Sequence, residues 1–349
     1  MRIAEIETFV VKMPSDEPYM GELEADVVPT KTGYFQRERY PTFYSLATEG
    51  FLVRITTDDG TIGWGEAQAP IVPEVLEVLV ERLFRPFYLG RDPFDIDVLW
   101  HLAYDGLHER GHITSFALDA IAACDIALWD IVGKATSRPV HKLMGGCFRS
   151  EVPCYVSGLP APDIEGRVAL AREWVDQGFS AFKMAMGYGV DADLDNLRAV
   201  REAVGEGIGL MNDAHWRYTL SEAIRLGKGM EALDCSFLEA PLVPEDLHGL
   251  AELARALDMD VAMGEERRTR HQFREVLELR AADIIQPDVG RMGLSEFRSI
   301  ADMADAHSIP VVPHLGPAFG VYLAASIHAA ASRPNLPIME FQPSVLDKA

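Results

Sequence analysis

Residues 208–214 read IGLMNDA, residues 236–241 read SFLEAP and residues 260–265 read DVAMGE. Each is a short apolar run of strand length that ends on an acid, Asp213, Glu239 or Glu265. The acids are 26 and 26 residues apart, one strand and one helix each time. That spacing predicts equivalent places on three neighbouring parallel strands. The pattern continues in both directions. VPCYVSG (152–158) and SAFKMAM (180–186) lie upstream; DIIQP (283–287), PVVPH (310–314) and PIMEF (337–341) lie downstream. Amphipathic helical stretches separate successive strands. Eight such strands point to an α/β fold closed as a parallel barrel, with a doubly wound open sheet as the alternative.

Ionisable residues crowd the C-terminal ends of these strands, the edge where barrel enzymes gather their catalytic groups. Strand two ends with Lys183, strand three with Asp213 and His215, strand four with Glu239 and strand five with Glu265. Asp288, His314 and Glu340 follow on strands six, seven and eight. A single acid after a strand is often only a helix cap. Seven successive strands carrying such a residue are poorly explained by capping, which favours the barrel. Three carboxylates on neighbouring strands repel: at roughly 4 Å and an effective dielectric near 20, each pair costs about 4 kcal/mol. A divalent cation resolves the repulsion, and all-oxygen ligation suits Mg²⁺ better than zinc. The bland alternative is three solvated loop acids.

Residues two apart on a strand share a face, so His215 is expected to point inward beside Asp213. Strands three and seven lie opposite each other in an eight-stranded barrel, so His215 and His314 approach a central substrate from two sides. Asp288 sits one strand before His314, where it can fix the imidazole tautomer and raise its basicity. Its plain alternative is capping of the helix that begins GRMGLSEF. The remaining histidines, His101, His108, His112, His141, His248, His271, His307 and His328, read as helix and loop residues.

The first 130 residues or so have a different texture. IAEIETFVV and FLVRITTDDGTIGWGE read as strands around a long polar and aromatic segment, 14–46, with a hairpin turn at Asp59-Gly60. Helical stretches follow, ending with SFALDAIAACDIALWDIVGKA. The chain carries 54 acids and 32 bases, a formal charge of −22, which argues against nucleic acid or an anionic membrane as partner. No apolar run approaches the roughly 18–20 residues of a membrane span, and the N-terminus reads as a strand rather than a signal peptide. Cytoplasmic residence is therefore expected. The four cysteines form no CxxC pair and read as reduced thiols.

Together these motifs resemble the mandelate racemase group of the enolase superfamily. The similarity runs from FLVRITTDDGTIGWGE through ALWDIVGKATSRPVHKLMGG to PHLGPAFGVYLAASIHAA. The resemblance implies an N-terminal α+β capping domain, residues 1–128 with a lid loop at about 14–46, over a (β/α)7β TIM-like barrel, residues 129–349. It implies one Mg²⁺ on Asp213 in MNDAH, Glu239 in FLEAP and Glu265 in MGEE. It further implies an Asp288–His314 dyad, from IQPDVG and VVPH, and a strand-eight Glu340, from IMEF. Many members carry Lys-x-Lys on strand two, the second lysine acting as a base. Here the stretch is Lys183-Met184-Ala185, while strand three supplies His215. That combination resembles the sugar-acid dehydratases of the galactonate type, in which the strand-seven histidine takes the α-proton and the strand-three histidine helps the hydroxyl leave.

The expected reaction is Mg²⁺-dependent abstraction of the α-proton of a sugar-acid carboxylate and loss of water to a 2-keto-3-deoxy acid. Lys183 and a protonated Glu340 would contact the carboxylate. Cycloisomerisation of a lactone, racemisation, and metal-stabilised binding without turnover are the alternatives. Tyr34 and Arg37 are expected to contact substrate from the lid, which also contains Tyr19, Met20, Phe35 and Arg39; a structureless excursion is the other reading of that segment. A homo-oligomer acting on a small molecule is expected. Family members usually run some tens of residues past strand eight, whereas this sequence stops at Ala349.

Overall fold

The computed structural model of the chain describes residues 1–15, 18, 21–38 and 40–343; Tyr19, Met20 and Arg39 of the expected lid lie outside these. Five strands precede the helices: β1 (Ile3–Pro14), β2 (Tyr34–Gln36), β3 (Phe43–Ser45), β4 (Ala47–Thr57) and β5 (Ile62–Ala67). β1, β4 and β5 form one antiparallel sheet in that order, and β2 pairs with β3 in a separate hairpin. The predicted turn joins β4 to β5, with Asp59 Oδ1 accepting from the Thr57 hydroxyl at 2.6 Å and Gly60 at φ 85°.

The helix Phe116–Thr136 is apolar nearly all round and buried from Ala117 to Trp129, as a helix covered on every side must be. It packs between β5 and the helix Val289–Ala306. The sheet approaches it so closely that a side chain on Gly65 would meet the Ala123 carbonyl oxygen at 1.8 Å. On the opposite face, helix 289–306 breaks at Gly293 (φ 78°, ψ 173°). The buried Asp125 supplies the cap for its second start, accepting from Ser295 N at 3.0 Å and Ser295 Oγ at 2.5 Å. Ser295 Oγ in turn accepts from Trp129 Nε1 at 2.9 Å.

Seven parallel strands build the barrel: β6 (Cys154–Ser157), β7 (Ala181–Ala185), β8 (Gly209–Asp213), β9 (Phe237–Glu239), β10 (Asp260–Met263), β11 (Ile284–Ile285) and β12 (Met339–Phe341). Their order is β11-β10-β9-β8-β7-β6-β12, so the last strand pairs with the first. That closure excludes the doubly wound sheet. The expected seventh strand, 310–314, makes only bridges, Ile285 to Val311 and Asp288 to His314. Pro310 and Pro313 lack the N–H donors a full ladder needs. The segment nevertheless fills the gap, with Val312 N donating to Ile285 O at 2.9 Å and Glu340 N to Pro313 O at 3.3 Å.

Tyr155, Ala181, Met211, Phe237, Ala262, Ile284 and Val312, with Ile338 packed against them, form a separate apolar cluster to which every barrel segment contributes one side chain. It is the filled interior of the barrel. Among the described residues no helix is long and apolar enough to cross a membrane.

Burial pushes the Asp125 carboxyl from 3.8 up to about 6, against the hydrogen bonds from Ser295. A raised carboxyl contributes stability that is complete below its unfolded value and is lost as pH rises through the folded one. Asp125→Asn removes that dependence. Between about pH 4 and pH 7 the wild type is expected to lose about 2 kcal/mol relative to the variant in chemical denaturation. A difference that stays flat across this range would show that Asp125 is not protonated in the native state.

Candidate active site

Two residues beyond each member of the apolar interior, on the same face of its strand, come Ser157, Lys183, Asp213, Glu239, Gly264, Gln286, His314 and Glu340. Alternation alone therefore sets a polar ring on an apolar floor. Asp213 and Glu239 are direct register partners across β8 and β9. Glu265 departs from the expected equivalence: the register partner of Glu239 on β10 is Ala262, three residues earlier. Gly264, at φ 128°, turns the chain at the strand end and carries Glu265 beyond the ladder.

The charges in the ring pair off. Lys183 Nζ donates to both oxygens of Glu239 at 2.9 Å and lies 2.8 Å from Glu340 Oε1. Burial would lower the ammonium, but Glu239 and Glu340 hold it well above its ordinary value. Burial pushes the Glu239 carboxyl up to about 8; Lys183 pulls it down, and Asp213, Glu340 and Glu265 push it back. Gln286 Nε2 donates to Glu239 Oε2 at 2.5 Å. Glu340 Oε2 accepts from Leu315 N at 2.9 Å.

His314 is almost wholly buried between three carboxylates. Its Nδ1 lies 2.5 Å from Asp288 Oδ2, its Nε2 2.7 Å from Glu265 Oε2 and 3.9 Å from Glu340 Oε2. Burial would lower the imidazole, but Glu265 and Glu340 raise it well above its ordinary value. Asp288 also caps the following helix, with Oδ1 accepting from Gly290 N at 2.7 Å. Capping and contact with His314 coexist on its two oxygens. His215 Nδ1 lies 3.0 Å from Asp213 Oδ1. Burial works against the His215 imidazole's charge, yet Asp213 raises it to about 9. His215 (φ 49°) and Trp216 (φ 57°) are consecutive left-handed residues, a strained turn stored beside the ring.

The part of the lid within the described residues is structured. Tyr40 OH donates to Met186 O at 2.9 Å, and its ring lies 5.2 Å from that of His215. Tyr34 OH donates to Glu49 at 2.9 Å and accepts from Lys12 at 3.1 Å. Arg37 donates to the carbonyls of Gly21 and Glu22 and pairs with Glu24 at 3.0 Å. These contacts fix the hairpin and the loop leading into it. The ring thus brings together Lys183, Asp213, His215, Glu239, Glu265, Asp288, His314 and Glu340, while these contacts of Tyr34 and Arg37 lie within the cap.

Sequence reasoning passed over Ser157, Gln286, Tyr40 and Tyr322. The first two were legible from alternation once Lys183 and Asp288 had been assigned. Tyr322 hid in an apolar helix, and its hydroxyl donates to Asp288 Oδ2 at 2.9 Å.

The hard oxygens of Asp213, Glu239 and Glu265 suit a divalent cation by chemistry and by charge. Among the described residues no three His, Cys, Asp or Glu side chains are spaced to hold a metal ion; each of these carboxylates faces a lysine or histidine nitrogen instead. A cluster that must recruit Lys183, His215 and His314 to balance its charge fits a metal-binding set.

The Mandelate racemase / muconate lactonizing enzyme N-terminal domain model matches residues 38–145, and the Enolase C-terminal domain-like model matches residues 166–347. A D-galactarolactone cycloisomerase from Agrobacterium fabrum is 37% identical over 303 residues, 83% of this chain and 79% of its own. An arabinonate dehydratase from Saccharolobus solfataricus is 34% identical over 283 residues, 80% of this chain and 75% of its own. A member of the enolase superfamily from Agrobacterium tumefaciens superposes with a TM-score of 0.95 at 36% identity, covering 99% of this chain and 89% of that one. A racemase from Streptomyces coelicolor with bound magnesium superposes with a TM-score of 0.84 at 27% identity, covering 97% and 89%. With both halves matched and the barrel and its cap in place, the chain belongs to the mandelate racemase group of the enolase superfamily.

Proposed function

We propose that the protein is a magnesium-dependent enzyme that removes the C2 proton of a sugar-acid carboxylate and expels the oxygen on C3, giving a 2-keto-3-deoxy acid. The observation that carries this reading is the 2.5 Å contact of His314 with Asp288, on the strand facing that of His215 across the barrel. Asp213, Glu239 and Glu265 would hold one Mg²⁺ per subunit, which when bound supplies a Lewis acid for the substrate carboxylate. The magnesium-bound racemase supports that choice of ion.

In this reading Lys183 and Glu340 bind the carboxylate, and Lys183 donates to the oxygen on which enediolate charge develops. Asp288 accepts the Nδ1 proton of His314, which leaves Nε2 to take the C2 proton. Glu265 and Glu340 both favour the protonated imidazole, and Glu265, the larger of the two influences, would be engaged as a metal ligand when Mg²⁺ is bound. His215 gives its proton to the leaving oxygen. Tyr34 and Arg37 serve substrate binding by holding the lid hairpin, and Tyr40 lines it beside His215. Residues 1–128 act as cap and lid and 129–349 as the catalytic barrel, in a cytoplasmic homo-oligomer.

A second reading keeps every residue role and changes the leaving group to a lactone ring oxygen. The galactarolactone cycloisomerase, at 37% identity, favours it. A panel of acid sugars and their lactones, read out by 2-keto acid formation and product NMR, separates the two. Interconversion of epimers with no 2-keto acid would remove both.

Chelation is expected to abolish turnover and added Mg²⁺ to restore it. Glu239→Gln should weaken Mg²⁺ binding in calorimetry; unchanged affinity would take Glu239 out of the ligand set. His314→Asn should lower turnover by roughly 10²–10⁴-fold, the usual worth of a general base, while Mg²⁺ still binds. Exchange of the C2 proton with deuterated solvent at the wild-type rate would show that another group is the base. His215→Asn should stop elimination yet keep C2 exchange, because exchange needs only the base. Loss of both together would reassign His215.

A further inference from the structure

We propose that Tyr322 is a positioning residue that fixes the Asp288–His314 dyad, acting on His314 through the Asp288 carboxylate; this rests on the reading of His314 as the base. Three donors surround the wholly buried Asp288. Gly290 N holds Oδ1 at 2.7 Å, while His314 Nδ1, at 2.5 Å, and the Tyr322 hydroxyl, at 2.9 Å, share Oδ2. With both oxygens engaged the carboxylate cannot turn about its own axis, and the plane in which Oδ2 receives the imidazole is set. The same hydroxyl accepts from Gly316 N at 2.8 Å, so it also ties down the loop that leaves His314.

The phenol ring is closely packed where it makes this dual contact. Tyr322 is fully buried, and a side chain on Gly290 would meet its Cδ2 at 2.9 Å. Its backbone is fixed from the cap: Glu66 accepts from Tyr322 N at 2.9 Å and from Phe319 N at 2.5 Å. Without Tyr322, Oδ2 keeps His314 and the more distant Arg291, whose Nε is 3.8 Å away.

The test uses Tyr322→Phe and Asp288→Asn, singly and together, in full-length enzyme supplied with Mg²⁺. The substrate is the acid sugar that gives the strongest 2-keto acid signal in the panel, with the folded fraction normalised by unfolding curves. Tyr322→Phe should lower kcat about 10–100-fold, the usual worth of an outer hydrogen bond that orients a ligand or base, with KM little changed. In the Asp288→Asn background the same change should cost less than about threefold, because the carboxylate through which Tyr322 acts is gone. Losses that multiply would overturn the proposal, since a general structural defect lowers both backgrounds alike. A crystal structure of Tyr322→Phe decides the matter without substrate. Rotation of the Asp288 carboxylate or a second His314 rotamer supports the proposal, and a dyad that superposes on the wild type refutes it. An empty substrate panel would sink the sugar-acid reading alone and leave this second arm to decide on Tyr322.

Discussion

Like charge at close quarters is the constraint around which this molecule is arranged. Asp213, Glu239, Glu265, Asp288 and Glu340 converge on one end of a barrel whose floor is apolar and offers no screening. Each is answered locally: Lys183 spans two of them, His314 touches three, and His215 turns back on Asp213. The opposing shifts follow from this, with Glu239 pushed up, and Glu265 held down by His314 against its own burial. Such a cluster is expensive in a fold of ordinary marginal stability. The surrounding parts supply the support, from the filled interior below the ring to the cap above it.

That support arrives from distant stretches of chain. Glu66, on β5 of the cap, accepts from Phe319 N, just before the helix Val321–Ala331, and from Tyr322 N in its first turn, and so helps hold the loop behind His314. Gln68 N donates to Gly290 O at 2.9 Å, just past Asp288. Gly316 is pressed so near that a side chain there would meet Gln68 Nε2 at 2.0 Å. The end of β5 is therefore seated between the loops that carry the two members of the dyad. The glycines of β5 let the sheet lie on the backbone of helix 116–136, which fixes how deeply that seat is driven.

Much of this was legible in the sequence, and the parts that were not share a reason. Short apolar runs ending in an acid marked β8, β9 and β10 because parallel strands buried on both faces leave a strong local signature. The acids themselves stood out because helix capping alone does not require one on strand after strand. The seventh strand looked as good as its neighbours, yet Pro310 and Pro313 reduced it to bridges. Equal spacing placed Glu265 level with Glu239, and the turn at Gly264 undid that equivalence. Tyr322 and Glu66 could not be found at all by local reading. Their partners lie 34 and about 256 residues away, and each sits in a stretch whose pattern is fully explained by packing. Tyr34 and Arg37 show what a loop's sequence leaves out: the partners Glu49 and Lys12 of Tyr34 lie on neighbouring strands, and Arg37 reaches back to the carbonyls of Gly21 and Glu22.

Two segments of the cap meet the barrel mouth in different ways. The end of β5, at 66–68, grips the loops behind the dyad, whereas the β2–β3 hairpin sends Tyr40 against His215 and Met186 from above. Grip and cover are thus written in different places along the chain. Changes in the hairpin alter what covers the ring without touching the hydrogen bonds that hold the loops of Asp288 and His314, and changes in β5 do the reverse. A scaffold divided in this way can exchange one substrate for another through a short surface segment while its inherited chemistry stays where it is.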